Sequence, residues 1–389
     1  ILTYIVTNKA AANGAAIFVN STSIGGIDDV SIFTQAAAGA GAEPESLKSI
    51  KYNAPLDYAS QGRCVTAEDY KVFAKKLFPN AQSVSVFGGE SGSYDTSLGV
   101  VSTAEYGKIF ISIKSTTGLN LTTSEKTQLV TALAPYTVAS TIPVIVDPLV
   151  TKLILSGAFK YNKSKTSYSG TELEVLVNTT LKNYNTSDLA QFEGLFRHSK
   201  LLGLIDNTDT SITSSSVNVT MAQFFTPITT ASTAYTINYS NAFYNPHSGH
   251  NESSGGIIAS TGFYISGDAT NIQYFDDDGS GNLRTYYLVA GVRTYTDLTA
   301  GTVTYSDGKI VTDGIYITST AEIDGAASDR IRITAVPVSK DIVPVRNQIL
   351  EIDFINTNLI GEVDTVAVGD SSAGTTYTPT SSYTSTSSY

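Results

Sequence analysis

The spacing of apolar residues changes once along this chain, near residue 222, and that change limits the folds it can adopt. Between about residues 52 and 221, segments with apolar residues at helical spacing alternate with segments in which every second residue is apolar. From about 222 to 360 only the two-residue alternation typical of strands remains. We therefore predict an α+β fold, in which the N-terminal two-thirds form helices packed on a mixed sheet and are followed by a β-rich region.

Length and composition divide the predicted fold into four parts. The chain has 389 residues, enough for about two to three domains. We assign residues 1–50 to the end of an upstream region and a connector, 51–225 to the α+β core, 226–362 to a β-rich domain and 363–389 to a low-complexity tail. The tail is rich in Ser, Thr and Tyr and has few of the aliphatic residues that a packed core needs.

The stretch CVTAEDYKVFAKKLFPNAQSVSVFGGE predicts a helix, a strand and a turn in close succession. Thr66 is a natural N-cap, with Asp69 three residues later in a variant of the capping box. Apolar residues then recur on one helical face until Pro79 ends the helix. An alternating strand follows and stops at Gly88 and Gly89, where we expect a turn with positive φ or a close backbone approach.

Charge and composition exclude several classes of protein. The formal net charge is −11, so we predict no nucleic-acid binding, because an acidic chain does not attract a phosphate backbone. No stretch approaches the roughly 18 consecutive apolar residues of a membrane helix, so we also predict no membrane insertion. Cys64 is the only cysteine, which excludes an internal disulfide and a zinc site built from cysteines.

Two segments could bind a metal ion, although a structural interpretation is favoured for both. In FDDDGSGNLRTYY, Asp276 and Asp278 stand where calcium loops carry ligands, but tyrosine replaces the final bidentate glutamate. A hairpin tip with solvated acids explains this stretch better. In PHSGHNE, His247, His250 and Glu252 share one loop, but their spacing is not a strong metal signature, and a polar surface loop is favoured. We predict no metal site and no cofactor.

Three further segments resemble catalytic or anion-binding motifs but lack the partners that such motifs need. GDSSAG contains Ser371 in a setting like a nucleophile turn, yet it borders the low-complexity tail and has no evident histidine base. Cys64 is expected to be a small buried residue rather than a nucleophile. The turn at Gly88, Gly89 and Glu90 could cradle an anion, but it lacks the lysine of a P-loop. We predict that the protein is not an enzyme.

The stretch APLDYASQGRCVTAEDYKVFAKKLFPNAQSVSVFGGE also carries a family resemblance. With Arg63 before Val-Thr, an acidic-aromatic helix and a final Gly-Gly-Glu, it resembles the central segment of the baseplate J-like family of contractile-tail phages. Further on, LAQFEGLFRHSKLLGLID resembles that family's Phe-Arg-x-Ser-Lys…Ile-Asp motif, with Arg197 and Asp206 matching. The resemblance covers roughly residues 1–225, and the β-rich half, with an N-terminal portion expected to be missing, suits the family's longer, wedge-forming members better than its short ones. Residues 226–389 carry no motif that we can match.

The resemblance implies a structural virion protein. Members of this family are similar in forming paired copies that join into a ring around the tail hub, which holds other wedge proteins and rearranges when the sheath contracts. The implied partners are further copies of this chain and other baseplate wedge and hub proteins. The implied location is the tail baseplate of the virion, after assembly in the host cytoplasm. Seven residues are candidates for structural or interface contacts: Arg63, Thr66, Gly88, Gly89, Glu90, Arg197 and Asp206.

A secreted or surface-bound carbohydrate-binding β-protein is the alternative. The β-rich C-terminal half and the many Ser, Thr and Tyr residues motivate it, although the chain has no Trp to stack on a sugar ring. Binding of glycans by residues 226–389 would favour this alternative. A hydrolase that uses Ser371 is a third hypothesis, and it requires an activity that Ser371→Ala removes.

Overall fold

The protein, seen in a computed structural model, separates into two compact units. The N-terminal unit comprises residues 1–96, 100–149 and 346–348, and the second unit comprises 97–99, 150–345 and 349–389. Within these units, structure is described for residues 9–12, 14, 15, 17, 25–27, 44, 47–91, 94, 95, 100, 101, 104–118, 120–250 and 256–366.

The N-terminal unit places helices beside a small sheet. In chain order its elements are α1 (Leu47–Ser60), α2 (Ala67–Leu77), β1 (Ala81–Gly88), β2 (Tyr94–Asp95), β3 (Val100–Val101), β4 (Lys108–Ser115), α3 (Thr123–Leu133) and β5 (Ile142–Val146). The central strand β4 pairs antiparallel with β1 and parallel with β5. Apolar side chains of α2, α3 and this sheet form one core, which includes Cys64, Tyr70, Phe73, Val84, Ile111, Leu129 and Leu133.

The second unit is built mainly from strands. Its helices are α4 (Gly170–Tyr184) and α5 (His198–Asp206). Its strands are β6 (Leu149–Tyr161), β7 (Ile212–Phe225), β8 (Thr236–Asn238), β9 (Ile258–Ser260), β10 (Phe263–Ile265), β11 (Asp268–Asp277), β12 (Asn282–Val289), β13 (Val292–Thr304), β14 (Lys309–Thr312), β15 (Ile317–Thr320), β16 (Ile331–Ala335), β17 (Gln348–Ile352) and β18 (Asn358–Val363). The first residues of β6 and β17 are assigned to the N-terminal unit.

Two large sheets organise the second unit. One has the strand order β17-β6-β7-β16-β9, with β18 pairing in parallel to β6. The other has the order β15-β10-β11-β12-β13-β14-β8, and its neighbouring strands are antiparallel. A single hydrophobic core takes side chains from α4, α5 and both sheets, among them Leu155, Phe159, Leu181, Leu201, Val219, Phe263, Phe275 and Ile333.

The helices begin in two different ways. The predicted capping box at α2 is present, and equivalent boxes begin α3 and α4, each with a hydroxyl side chain at the N-cap and a carboxylate three residues later. These boxes satisfy backbone N–H groups that a helix start leaves without intrahelical partners. At α5 the N-cap residue is Arg197, which makes no side-chain cap. The backbone N–H groups of its first turn therefore need a hydrogen-bond acceptor from elsewhere in the chain.

The prediction of an α+β fold, with helices on a mixed sheet through the N-terminal two-thirds, is wrong because the described chain is mostly β. The strands β6 and β7, of 13 and 14 residues, lie within the predicted helix-and-sheet region. They pair with C-terminal strands in one sheet. Helical periodicity is visible within a short window, whereas a strand pairing between distant segments leaves no local signal. The prediction therefore overestimated the share of helix in the N-terminal two-thirds of the chain.

The predicted domain limits stay a prediction. The six-stranded sheet takes strands from both sides of the proposed boundary at residue 225, since β7 ends there and β16 pairs along it. Most of the predicted connector at 1–50 and nearly all of the low-complexity tail at 363–389 lie outside the described residues. The part of the tail that is described contains the end of β18.

Candidate interface residues and buried polar clusters

The glycine turn after β1 is shaped by close backbone packing. Gly89 opens a short 3₁₀ turn, and neither Gly88 nor Gly89 has a positive φ. A Cβ on Gly89 would lie 1.9 Å from the carbonyl oxygen of Glu105. A Cβ on Gly88 would lie 2.0 Å from Oε2 of Glu90, so that carboxylate folds back over the glycine. Of the two reasons predicted for glycine here, close approach is the one that applies.

Arg63 and Thr66 lie in the connection between α1 and α2. Arg63 is exposed, and its backbone N–H donates to the carbonyl oxygen of Ser60 at 3.1 Å. Oγ1 of Thr66 accepts from the N–H of Asp69, while Oδ2 of Asp69 accepts from the N–H of Thr66 at 2.8 Å. Burial alone would raise the pKa of Asp69, but the N–H groups of Thr66 and Val65 lower it below its ordinary value.

Arg197 and Asp206 stand at opposite ends of α5. Nη1 of Arg197 lies 2.7 Å from Oδ2 of Asp341, and Oδ1 of Asp341 accepts from the N–H of His198 at 2.9 Å. Asp341 thus caps α5 from 144 positions further along the chain than Arg197. The hydrogen bond from Arg197, and then that from His198, hold the pKa of Asp341 below its ordinary value. Oδ1 of Asp206 is buried and has no hydrogen-bond partner among the described residues.

The seven predicted residues do not converge on one site within either unit. Arg63, Thr66 and the turn from Gly88 to Glu90 belong to the N-terminal unit, whereas Arg197 and Asp206 belong to the second. Their assignment as interface contacts stays a prediction. Sequence reasoning missed Asp341 altogether, because its partner lies far away in the chain and no local pattern marks it.

A buried charged cluster lies on β11, β12 and β13, and no local sequence pattern predicted it. The side chain of Asp276 is 1% exposed and accepts hydrogen bonds from Arg284 Nε at 2.9 Å, Arg293 Nη1 at 3.0 Å and Tyr295 Oη at 3.0 Å. Burial raises the pKa of Asp276, and Arg284 followed by the other partners opposes that rise. The Arg293 guanidinium also lies 4.7 Å above the ring of Tyr286. One carboxylate therefore joins three strands.

The burial and hydrogen bonds of the acids in this hairpin do not fit a calcium loop. The predicted hairpin tip is present between β11 and β12, but the prediction that its acids are solvated is wrong for Asp276 and Asp277, which are buried. Asp277 accepts from Ile258 N at 3.0 Å and Tyr305 Oη at 2.7 Å. Burial, with the charge of Asp277, raises the pKa of Tyr305. Asp278 alone closes the turn, accepting from two backbone N–H groups.

The histidine loop places two imidazole rings side by side. Nδ1 of His250 lies 3.3 Å from Nε2 of His247, and both residues are exposed. Glu252, the third member of the predicted set, lies outside the described residues. Within the described ranges, no group of three or more His, Cys, Asp or Glu side chains is arranged to hold a metal ion. A metal site in this loop would therefore be built on the imidazole rings of His247 and His250.

Of the two candidate nucleophiles, Cys64 and Ser371, only Cys64 lies within the described residues. Cys64 is fully buried in the N-terminal core, and burial followed by the charge of Asp69 raises the pKa of its thiol to about 12. Such a thiol stays protonated near neutral pH, so it does not supply the reactive thiolate. Ser371 lies outside the described residues. Within the described part of the chain, no helix is long and apolar enough to cross a membrane.

Comparison with known proteins links two segments of the chain to structural proteins of phage baseplates. Residues 66–146 match the family model described as baseplate structural protein gp6, C-terminal domain I. Residues 155–223 match the model described as baseplate structural protein gp6, C-terminal domain III. The first segment starts at the N-cap of α2 and ends with β5, and the second contains α4, α5 and most of β6 and β7.

A curated relative points to the same class. The chain is 28% identical over 233 residues to baseplate wedge protein gp6 of Enterobacteria phage T4, covering 57% of this chain and 33% of that protein. It thus spans a third of the length of that relative. A chain in the cryo-EM structure of the anti-feeding prophage baseplate, 6-fold symmetrised, is 12% identical with a TM-score of 0.33, covering 46% of this chain and 38% of that one. The sequence matches support a relationship to baseplate wedge proteins and do not test membership of the baseplate J-like family.

Proposed function

We propose that this chain is a structural subunit of the baseplate wedge in a contractile tail and a member of the baseplate J-like family. In this proposal, paired copies join into a ring around the tail hub. The ring holds the other wedge proteins and rearranges when the sheath contracts. The chain is located in the tail baseplate of the virion, after assembly in the host cytoplasm, and it catalyses no reaction.

The observation that carries this proposal is the order and extent of the two family matches. Domain I and domain III occur in that order, and each match contains a group of consecutive helices and strands. Six of the seven residues singled out as structural contacts lie within the matched segments, and Arg63 lies three positions before the first. Chance similarity in a chain rich in Ser and Thr would not be expected to produce two such segments in this order.

The composition of the chain agrees with a structural protein that acts by binding other proteins. The chain contains 23 Tyr residues, and tyrosine suits interfaces because it combines a rigid apolar body with a hydrogen-bonding tip. Cys64 is buried and protonated, so it offers no nucleophile. The carbohydrate-binding alternative is not favoured by the comparisons.

Immunogold electron microscopy of lysates from the producing cells tests the proposal. An antibody raised against this chain is expected to label the ends of contractile tails, around the plate. A lysate from cells in which the coding sequence has been deleted is the control, and it should show no label and no complete baseplates. Label on cell surfaces or soluble material, with the tails bare, would contradict the proposal.

The ring arrangement needs a separate test, because labelling alone gives no copy number. Cryo-electron microscopy of the labelled tails before and after contraction should show density for paired copies around the hub in both states. The contacts between copies should differ between the two states, since assemblies of this kind switch between discrete arrangements. A single copy per wedge, or an unchanged ring, would remove that part of the proposal while leaving the location intact.

A further inference from the structure

The loop that carries His247 and His250 holds their rings in a defined geometry. Nδ1 of His247 lies 3.2 Å from the carbonyl oxygen of Ser248. A carbonyl can only accept, so this nitrogen carries a proton, and in the neutral imidazole Nε2 of His247 is left with a lone pair. That Nε2 faces Nδ1 of His250 at 3.3 Å, with the two rings at 85° to each other. A histidine that donates one ring N–H to a backbone carbonyl is the usual arrangement of a metal ligand.

The distance between the two facing nitrogens agrees with a shared metal ion. Two imidazoles bound tetrahedrally at about 2.0–2.1 Å from zinc place their nitrogens about 3.3–3.4 Å apart. The observed separation is 3.3 Å. The same separation also fits a long N–H···N hydrogen bond between the two rings. In the metal-free protein the two rings therefore form a hydrogen bond, and a bound metal ion would replace the proton between the two nitrogens.

The loop is fixed to the hairpin between β11 and β12. Asn245 Nδ2 donates to the carbonyl oxygen of Gly279 at 3.0 Å, and the N–H of Gly249 donates to the same oxygen at 3.1 Å. The ring of Tyr244 meets that of His250 edge-on, with centroids 5.7 Å apart. These contacts hold the loop on both sides of His247, so the two ring nitrogens are brought together before any ligand binds.

We propose that His247 and His250 form a binding site for a divalent transition-metal cation of the zinc, nickel or copper class. Nε2 of His247 and Nδ1 of His250 supply two ligands, and both residues are exposed, so further coordination positions are open. Imidazole ligands suit these metals, whereas magnesium and calcium prefer oxygen. The proposal revises the sequence-based prediction of no metal site, and it does not depend on the proposed function.

Calorimetric titration of the tag-free full chain with zinc chloride alone tests the proposal. We expect saturable binding of one ion per chain, weakened at least about tenfold by either His247→Gln or His250→Gln. His198→Gln is the matched control, because Nε2 of His198 is already engaged with the carbonyl oxygen of Val217 at 2.8 Å. Binding by that variant should equal binding by the unchanged chain.

Two outcomes would overturn the site. One is the absence of saturable binding at millimolar zinc, and the other is equal binding by the His247→Gln, His250→Gln double variant. Replacing zinc by magnesium gives a second test, since comparable magnesium binding would mean that oxygen ligands elsewhere hold the ion. Because both histidines are exposed, thermal unfolding of the double variant without metal should match that of the unchanged chain, which rules out misfolding as the cause of lost binding.

Discussion

The polar contacts described in the two units differ in kind. In the N-terminal unit, the capping boxes of α2 and α3 join residues three positions apart, and Lys76 pairs with Asp57 on an exposed surface. In the second unit, Arg197 pairs with Asp341 across 144 positions, and the Asp276 cluster is buried between strands. A capping box forms with its own helix, as it also does at α4 of the second unit, whereas the Asp276 cluster forms only when β11, β12 and β13 pair.

This difference has a consequence for stability. Exposed pairs between near neighbours contribute at most about 1 kcal/mol, because water and salt screen them. A buried charge is different, because removal of its partner leaves an uncompensated ion in a poorly solvated place. Substitutions of polar groups should therefore have larger effects in the second unit than in the N-terminal unit, apart from positions where backbone packing is the cause.

The largest effect is expected at Asp276. Asp276→Ala removes the carboxylate that accepts from Arg284, Arg293 and Tyr295, and it leaves Arg284 buried without its partner. We expect a loss of about 3–5 kcal/mol in the free energy of unfolding, measured by urea denaturation. Asp268→Ala, at the start of the same strand, is the control and should cost much less, because Asp268 is only half-buried and bonds to uncharged groups rather than to a buried arginine. Equal losses for the two variants would mean that burial does not set the energetics of this sheet.

Gly89→Ala tests a position in the N-terminal unit where close backbone packing, rather than a polar contact, is expected to set the cost of substitution. The new Cβ would lie 1.9 Å from the carbonyl oxygen of Glu105, a contact that requires the backbone to shift. We expect a loss of about 1–3 kcal/mol, as for overpacked sites in general. Gly203→Ala on α5 is the matched control, because no atom lies within 4 Å of the new Cβ there. That substitution should stabilise the protein by about 0.4–1 kcal/mol, and a loss there would indicate that glycine freedom is needed in α5.

Asp341→Ala tests the cap that comes from a distance. The substitution removes both the ion pair with Arg197 and the acceptor for the N–H of His198. We expect a loss of about 1–2 kcal/mol, most of it from the lost cap. Asp341→Asn keeps an oxygen acceptor without the charge, so it should recover most of the stability. If it behaved like alanine, the ion pair rather than the cap would be the main contribution.

The same residue predicts a pH dependence. The pKa of Asp341 in the folded state lies below its unfolded value of about 3.9. Its contribution is therefore complete above that value and is lost as the pH falls through the folded pKa. The difference in stability between the unchanged chain and Asp341→Asn should accordingly shrink as the pH falls below about 4. A difference that is constant from pH 7 to pH 2.5 would contradict the charged cap.

The comparison also explains which parts could be predicted from the sequence. The helix start at Thr66 was predictable because its partner Asp69 lies three residues away, and the hairpin after Asp276 was predictable from its turn residues. The cap at Asp341 and the burial of Asp276 were not, since the first is a contact across 143 positions and the second depends on how β11, β12 and β13 pack in the folded unit. For the same reason, the predicted fold class was wrong although the helix after Thr66 was placed correctly.

A smaller loss of stability is expected for Thr66→Ala, which removes a contact between residues three positions apart. It removes the hydroxyl that accepts from the N–H of Asp69, while the reciprocal bond to Asp69 can still form. We expect a loss of about 1 kcal/mol in thermal or urea unfolding of the N-terminal unit. Thr66→Ser keeps the hydroxyl and should be close to neutral. An unchanged stability in Thr66→Ala would mean that α2 is held by its buried face alone.

The smallest effect is expected at Lys76, which pairs with Asp57 while both side chains remain largely in water, at 57% and 42% exposure. Lys76→Ala should change the free energy of unfolding by less than about 1 kcal/mol, and the change should vanish in about 1 M salt, where screening acts over roughly 3 Å. Lys76→Met keeps an apolar stem but removes the ammonium group, whose Nζ lies 5.4 Å from the centre of the Phe73 ring, and so separates packing from charge. A loss for Lys76→Ala as large as that for Asp276→Ala would contradict the contrast between exposed and buried pairs.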